Sequence, residues 1–437
     1  MTRLFFVLLG VLASACGSEP PPQSAPPPAT PQPSTRSDLS KMLVRELTPT
    51  EEGLYTLKVR VGGRTFSPVI DTGSSDLLVP GEDCEGCTGS ARYVPSGSVA
   101  QGDKVAEGEI IYGTGRARVR QTRDRVGFPG TKISFAMDFH VIQESKALPR
   151  GGLLGLAYAS LLDVIAEGGG ARNSFTPFID GFARHARLPK RFTLLLCEQA
   201  GGISRIILGD ERATGKIRRE DFGIWAAVPH RTYYTFPIES MRLAGASLGA
   251  FPDWRDSDGA RDVVILDSGA NMILLPPRAA EDLNHRLQQI TAAQGKALPP
   301  AFWRGNCDSG SNTVMVIPQK AFETIQFPEV ELVLVGGNFA KATALGQAVS
   351  SAKAAARSFY PGPDNTVVLK VPARAFFLKS NGYYHYAVCP TEGEKNVSIL
   401  GKPFLEHFVT VFDRRRHIIG LAPSSGLCRS WRGESVR

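Results

Sequence analysis

Val69-Ile70-Asp71-Thr72-Gly73-Ser74 and Ile265-Leu266-Asp267-Ser268-Gly269-Ala270 are two versions of one phrase. Each is an apolar β-type run that delivers a single aspartate and then breaks at a hydroxyl residue and a glycine. A carboxylate at the end of a buried strand is costly unless its charge is shared or hydrogen-bonded, and the small polar residues beside it can supply those bonds. Two such sites in one chain point to two carboxylates used as a pair, with the remaining residues bringing them together.

At 437 residues the chain exceeds one ordinary core, so two lobes of roughly 150–200 residues each are expected. The 45 glycines and 31 prolines imply many turns and a β-rich fold. The net charge of +8 is moderate, and the arginines are scattered along the sequence. It reads as solubility, because a nucleic-acid role needs a concentrated basic patch with interleaved aromatics.

The N-terminus carries an address. Arg3 precedes an apolar run from Leu4 to Val11, and Ala13-Ser14-Ala15-Cys16 closes it with small residues. The run is too short to span a bilayer, so residues 1–16 read as a cleaved export signal. The ending resembles the bacterial lipoprotein signal, in which Cys16 becomes the lipidated first residue. Leu12 lies four positions before the cysteine where that pattern has leucine at three, which keeps an ordinary signal peptide as the alternative. By the same resemblance, Gly17 favours an outer-membrane lipoprotein of the bacterial cell envelope, facing the periplasm or the surface. Residues 17–50 then form a Pro- and Ser-rich tether, 51–228 the N-terminal lobe and 229–437 the C-terminal lobe.

Export implies an oxidising compartment, where Cys84, Cys87, Cys197, Cys307, Cys389 and Cys428 can form three bridges, whose pairing the spacing leaves open. Cys84-Glu85-Gly86-Cys87 can be a redox pair, half a zinc site or a loop disulfide. With no second such motif and no βαβ context, the disulfide is the reading adopted.

From Leu54 the pattern becomes strands. Leu54 to Val61 alternates, Gly62-Gly63 turns, and Thr65 to Ile70 runs back into Asp71 as the second arm of a hairpin. Glu109 to Gly115 and Arg116 to Val119 read as a second hairpin. Its Gly113-Thr114-Gly115 tip lacks the helix that a phosphate-binding loop requires. Phe192 to Leu196 and Ile203 to Leu208 form a third hairpin, and Tyr233-Tyr234-Thr235-Phe236 opens the second lobe. Residues 338–366 interrupt the strand pattern and read as a surface insertion with a short helix. Gly152-Leu153-Leu154-Gly155-Leu156-Ala157 follows Asp71 as Ser398-Ile399-Leu400-Gly401 follows Asp267, so the order "aspartate loop, then apolar-Leu-Gly" occurs twice. This internal repeat implies two lobes built to one plan.

Taken singly, each of these residues has an ordinary reading: an aspartate or serine in a turn, a tyrosine half-buried in a strand. In combination and in order, Asp71-Thr72-Gly73-Ser74-Ser75, Tyr112-Gly113-Thr114-Gly115, Leu154-Gly155-Leu156-Ala157-Tyr158, Asp267-Ser268-Gly269, Ile399-Leu400-Gly401 and Thr410-Val411-Phe412-Asp413 resemble the pepsin-like family of aspartic endopeptidases, over residues from about 50 to 423. The resemblance implies an all-β, bilobal acid-protease fold: two related β-barrel-like lobes with an active-site cleft between them. It implies catalytic Asp71 and Asp267, supported by Thr72, Gly73, Ser74, Ser268 and Gly269. Tyr112, Gly113 and Thr114 would form a flap over a bound peptide or protein substrate. Neither cofactor nor metal is implied, and the protein is expected to act as a monomer.

It further suggests the bridges Cys84–Cys87, Cys307–Cys389 and Cys197–Cys428. In such a pair, one carboxylate keeps a proton while the other accepts one from water, as the aspartic proteases do. The alternative is a catalytically silent pepsin-like peptide-binding or inhibitor protein. Metal-dependent hydrolysis is weaker, since the seven histidines show no His-Glu-x-x-His spacing.

Three departures from the family pattern matter. Leu78 stands where many relatives have a tryptophan that hydrogen-bonds the flap tyrosine. Ala270 replaces a Thr or Ser, removing a hydroxyl from the second carboxylate. The chain between Cys16 and Leu54 is short for a full inhibitory prosegment, so no zymogen step, or only a brief one, is expected.

Overall fold

Val69, Ile70 and Asp71 form a strand, Val69–Asp71, that is buried along its length. A strand with no wet face must be paired at its edges and covered on its faces. Its parallel partner is Leu153–Gly155, which also pairs antiparallel with Leu77–Glu85, the strand leaving the aspartate loop. The apolar-Leu-Gly segment thus lies between the two arms of that loop. The second half repeats the device: Ser398–Leu400 pairs parallel with Val263–Leu266 and antiparallel with Ile273–Leu275. Glycine permits the close approach in both halves. A Cβ on Gly155 would sit 2.3 Å from the Asp76 amide nitrogen, and one on Gly401 would sit 2.1 Å from the Met272 carbonyl oxygen.

The computed structural model describes residues 42–89, 91–97, 107–112, 115–158, 176–197, 201–228, 233–250, 263–305, 307, 314–334, 359–361, 367–391 and 398–431. A ten-stranded sheet carries the Asp71 loop and a nine-stranded sheet carries the Asp267 loop. A six-stranded sheet draws on both halves of the chain, in the order Met42–Glu46, Arg205–Gly209, Arg191–Leu195, Phe408–Asp413, Ile418–Pro423, Ile224–Ala227. The expected all-β, two-lobed architecture holds, with Phe178–Ala186 and Pro277–Ala293 as the two longest helices among the described residues. No helix among them is long and apolar enough to cross a membrane.

Some boundaries move. The tether, read as 17–50, extends too far: Met42–Glu46 is an edge strand paired with Arg205–Gly209, and Thr48–Pro49 pairs with Tyr55–Thr56. Met42, Leu43 and Val44 supply the apolar surface that the Pro- and Ser-rich segment lacks. Cys16 and residues 17–41 lie outside the described residues. The run from Leu54 is two strands, Tyr55–Thr56 and Val59–Val61, and its return is also two, Arg64–Phe66 and Val69–Asp71. Pro68 falls at the second break, where a residue without an N–H cannot continue the ladder. The hairpins at 62–63 and 201–202 stand as read. Of the insertion at 338–366, only Phe359–Pro361 is described, as a strand paired with Val367–Pro372.

All three disulfides form as the resemblance suggests: Cys84–Cys87, Cys197–Cys428 and Cys307–Cys389. The Cys197–Cys428 bridge ties the C-terminal helix Ser424–Ser430 to the six-stranded sheet. Polar groups are buried too. Lys402 and Glu406 form an ion pair at 3.2 Å with both side chains fully buried, and the Tyr55 hydroxyl donates to the same Glu406 Oε1 at 2.6 Å. Breaking such a pair from one side leaves a buried charge, which is worse than removing both. Lys402→Met is therefore expected to cost about 3–5 kcal/mol. The Lys402→Met/Glu406→Gln double variant should recover most of it in denaturant melts, while equal losses in single and double variants would contradict the coupling.

Candidate active site

The two aspartate loops are joined by the residues that follow the aspartates. Thr72 Oγ1 donates to the Leu266 carbonyl at 2.7 Å and accepts from the Ser268 amide at 2.9 Å. Ser268 Oγ donates to the Ile70 carbonyl at 2.8 Å and accepts from the Thr72 amide at 3.1 Å. Both side chains are fully buried. The four bonds form a closed reciprocal set in which every hydroxyl uses a donor and an acceptor, leaving no orphan at the lobe junction. The loops close so tightly that only glycine fits beside each carboxyl: a Cβ on Gly73 would lie 2.5 Å from Asp267 Oδ2, and one on Gly269 would lie 2.6 Å from Asp71 Oδ1.

This grip sets the two carboxyl groups against each other in unequal surroundings. Asp71 is buried and accepts from the Gly73 amide at 2.8 Å and from Ser74 Oγ at 2.5 Å, one donor on each oxygen. Asp267 accepts from the Gly269 amide at 2.7 Å. With Ala270 next in sequence, it has no hydroxyl counterpart to Ser74. Burial, then the negative charge of Asp71, then a hydrogen bond shared with the Asp71 carboxyl push Asp267 well above the ordinary carboxylate range. The site can therefore hold one charge and one proton side by side.

Tyr112 follows the strand Glu107–Ile111, with its amide donating to the Gly115 carbonyl at 2.7 Å. Its ring packs on the cluster of Val69, Leu78, Ile110 and Val119. Its phenol is pushed well up by burial and by the charges of Asp71 and Asp76, which places it within electrostatic reach of the first carboxylate. No hydroxyl partner for it is found among the described residues. Tyr112 is held by packing, with Leu78 in the cluster it packs on. Gly113 and Thr114 lie outside the described residues.

Three further residues bear on the site. Tyr233 is raised by burial and then by the charges of Asp267 and Asp71, so it lies within electrostatic reach of both carboxyls. Its place in the Tyr-Tyr opening of the second lobe was visible in the sequence, but its role was not. Behind the first loop, Asp76 Oδ1 faces His140 Nδ1 at 3.7 Å, both side chains buried. Burial pushes Asp76 up to about 7 and His140 down to about 4, so the two face each other uncharged between those values. The Asp-Thr-Gly-Ser-Ser-Asp run could have flagged Asp76. Nothing in the sequence could have flagged His140, which comes from the strand Ser134–Lys146 beside Leu78.

A closed cross-lobe grip and two opposed aspartates on repeated β-loops are the architecture of one class of protein. The family model described as eukaryotic aspartyl protease matches residues 54–424, and the chain belongs to that family. It is 24% identical to pepsin A of Bos taurus, over 84% of this chain and 83% of that protein. It is 26% identical to mucorpepsin of Rhizomucor pusillus, over 84% and 78%, and 23% identical to gastricsin of Suncus murinus, over 83% and 79%.

Removing one hydroxyl of the grip should be felt at once. Thr72→Val keeps the shape but orphans the Leu266 carbonyl and the Ser268 amide, for an expected loss of about 2 kcal/mol or more in denaturant unfolding. A loss below about 0.5 kcal/mol, the size of an ordinary surface change, would mean that the grip is not a stabilising contact.

Proposed function

We propose that the chain is an active aspartic endopeptidase that cleaves peptide or protein substrates with a water activated between Asp71 and Asp267. The observation that carries this reading is the inequality of the two carboxyls. Asp71, with a donor on each oxygen, is the resting carboxylate. Asp267, raised by burial and by its neighbour, is the resting acid.

The chemistry follows from that split. A water between the carboxyls gives a proton to Asp71 as its oxygen attacks the scissile carbonyl, and Asp267 gives its proton to the carbonyl oxygen. The result is a neutral tetrahedral gem-diol. Asp71 then passes its proton to the amide nitrogen while Asp267 recovers one from a diol hydroxyl, and the C–N bond breaks to leave a carboxylic acid and an amine. Tyr112 covers the peptide from the first lobe and Tyr233 borders it from the second. We place the protein as a monomer on the bacterial cell envelope, held by lipidated Cys16; the mass of the mature N-terminal peptide tests that anchor.

Asp71→Asn and Asp267→Asn should each lower kcat on hydrophobic peptides by about 10³-fold or more, without loss of fold by circular dichroism. Peptide binding by the wild type without cleavage at any pH would favour a silent binding protein. The pH profile carries a second test. Activity needs Asp267 protonated, so it is lost as pH rises through the raised Asp267 value. Ala270→Ser offers a hydroxyl to the charged form, lowers that value and should move the alkaline limb to lower pH. An unmoved or upward-shifted limb would contradict the assignment of Asp267 as the acid.

A further inference from the structure

Arginines that lie far apart in sequence meet at one end of the six-stranded sheet. Arg191 begins one strand and pairs across to Asp413, and the turn after Asp413 carries Arg416. Arg212 lies in the short helix after Arg205–Gly209, and Arg219 in the one before Ile224–Ala227. With Trp225 and Ile418 they line a shallow depression. Its carboxylates are already engaged. Arg191 lies 3.1 Å from Glu211, 3.4 Å from Asp413 and 3.8 Å from Asp210, and Arg212 lies 2.6 Å from Asp210. Asp413 also accepts from the backbone amides of Arg415 and Arg416.

Two cations remain. Arg219 and Arg416 are exposed, and neither has a carboxylate within ion-pair distance among the described residues. Arg219 is held below its ordinary value by burial and then by the positive charges of Arg416, Arg212 and Arg191. A guanidinium facing three others without a counter-ion marks a surface that would take an external anion. The described residues begin at the same sheet end: Met42 pairs with Gly209, one residue before Asp210.

We propose that Arg219 and Arg416, beside the already paired Arg212, form a docking face for the phosphates of anionic lipid headgroups, on the side of the sheet where the described chain begins at Met42. Trp225 lies in the depression with part of its ring exposed and would sit at headgroup level. Each cation near an anionic surface strengthens attachment roughly fivefold. The site contributes nothing to the aspartate loops, so docking and catalysis separate. The proposal uses the anchor reading only for the direction from which the bilayer approaches.

The full chain is mixed with vesicles of phosphatidylglycerol and phosphatidylethanolamine bearing a nitroxide at headgroup depth. The Trp225 share of fluorescence quenching is isolated by subtracting the Trp225→Phe variant. The expected result is quenching of Trp225 that disappears near 1 M salt, where charges are screened beyond about 3 Å. The Arg219→Glu/Arg416→Glu variant should weaken it about tenfold or more with unchanged cleavage of a soluble peptide. Equal quenching on phosphatidylcholine vesicles, or in the charge-reversed variant, would overturn the proposal. So would an unquenched Trp225 whose emission responds to inorganic phosphate alone, since that describes a free-anion site. An unmodified Cys16 by mass, with quenching intact, would remove the anchor and leave the docking face standing.

Discussion

Four hydrogen bonds between Thr72 and Ser268 and the opposite strands hold two separately built loops in one register. Everything chemical about the site depends on them. A hydroxyl one residue after each aspartate both donates to and accepts from the other lobe, so the geometry of one carboxyl cannot drift without breaking bonds at the other. Burial makes the arrangement exacting, because an orphaned amide or carbonyl there cannot turn to water. The glycines complete the constraint: with a Cβ at Gly73 or Gly269 colliding with the opposite carboxyl, no other residue lets the loops approach.

Near-symmetry in the scaffold yields asymmetry in the charges. Both halves place an apolar-Leu-Gly strand between the arms of an aspartate loop, yet Ser74 has no equivalent at Ala270. One substitution thus separates a carboxylate with a donor on each oxygen from one raised by desolvation and by its neighbour. Tyr112 is seated by apolar packing on Val69, Leu78, Ile110 and Val119. The buried Asp76 and His140 beneath it stay uncharged over a range of mildly acidic pH and so add no field to the dyad there.

Much of this was legible in the sequence because it is local. The repeated Asp-hydroxyl-Gly phrase, the later Leu-Gly segments and the hairpins at 62–63 and 201–202 are short-range patterns with a direct physical cause. The disulfide pairing needed the family resemblance, since spacing alone does not choose among partners. What escaped the sequence is non-local: His140 meets Asp76 only because two strands lie parallel, and Tyr233 comes within electrostatic reach of the aspartates only because the lobes close. Arginines that read as scattered solubilising charge converge because strand ends at 191, 209, 413 and 418 are neighbours in one sheet. The tether was drawn too long because Met42-Leu43-Val44 is too brief a run to announce a strand without its partner at 205–209.

The central claim is that Asp71 and Asp267 share one proton because their surroundings differ. Carbon-13 NMR titration of aspartate-labelled protein observes it directly, with Asp71→Asn and Asp267→Asn used to assign the two carboxyl signals. The account predicts that one carboxyl of the pair, assigned to Asp267, remains protonated at a pH where the exposed carboxylates of the chain have all ionised. Two aspartate signals that both titrate in the ordinary carboxylate range would contradict it.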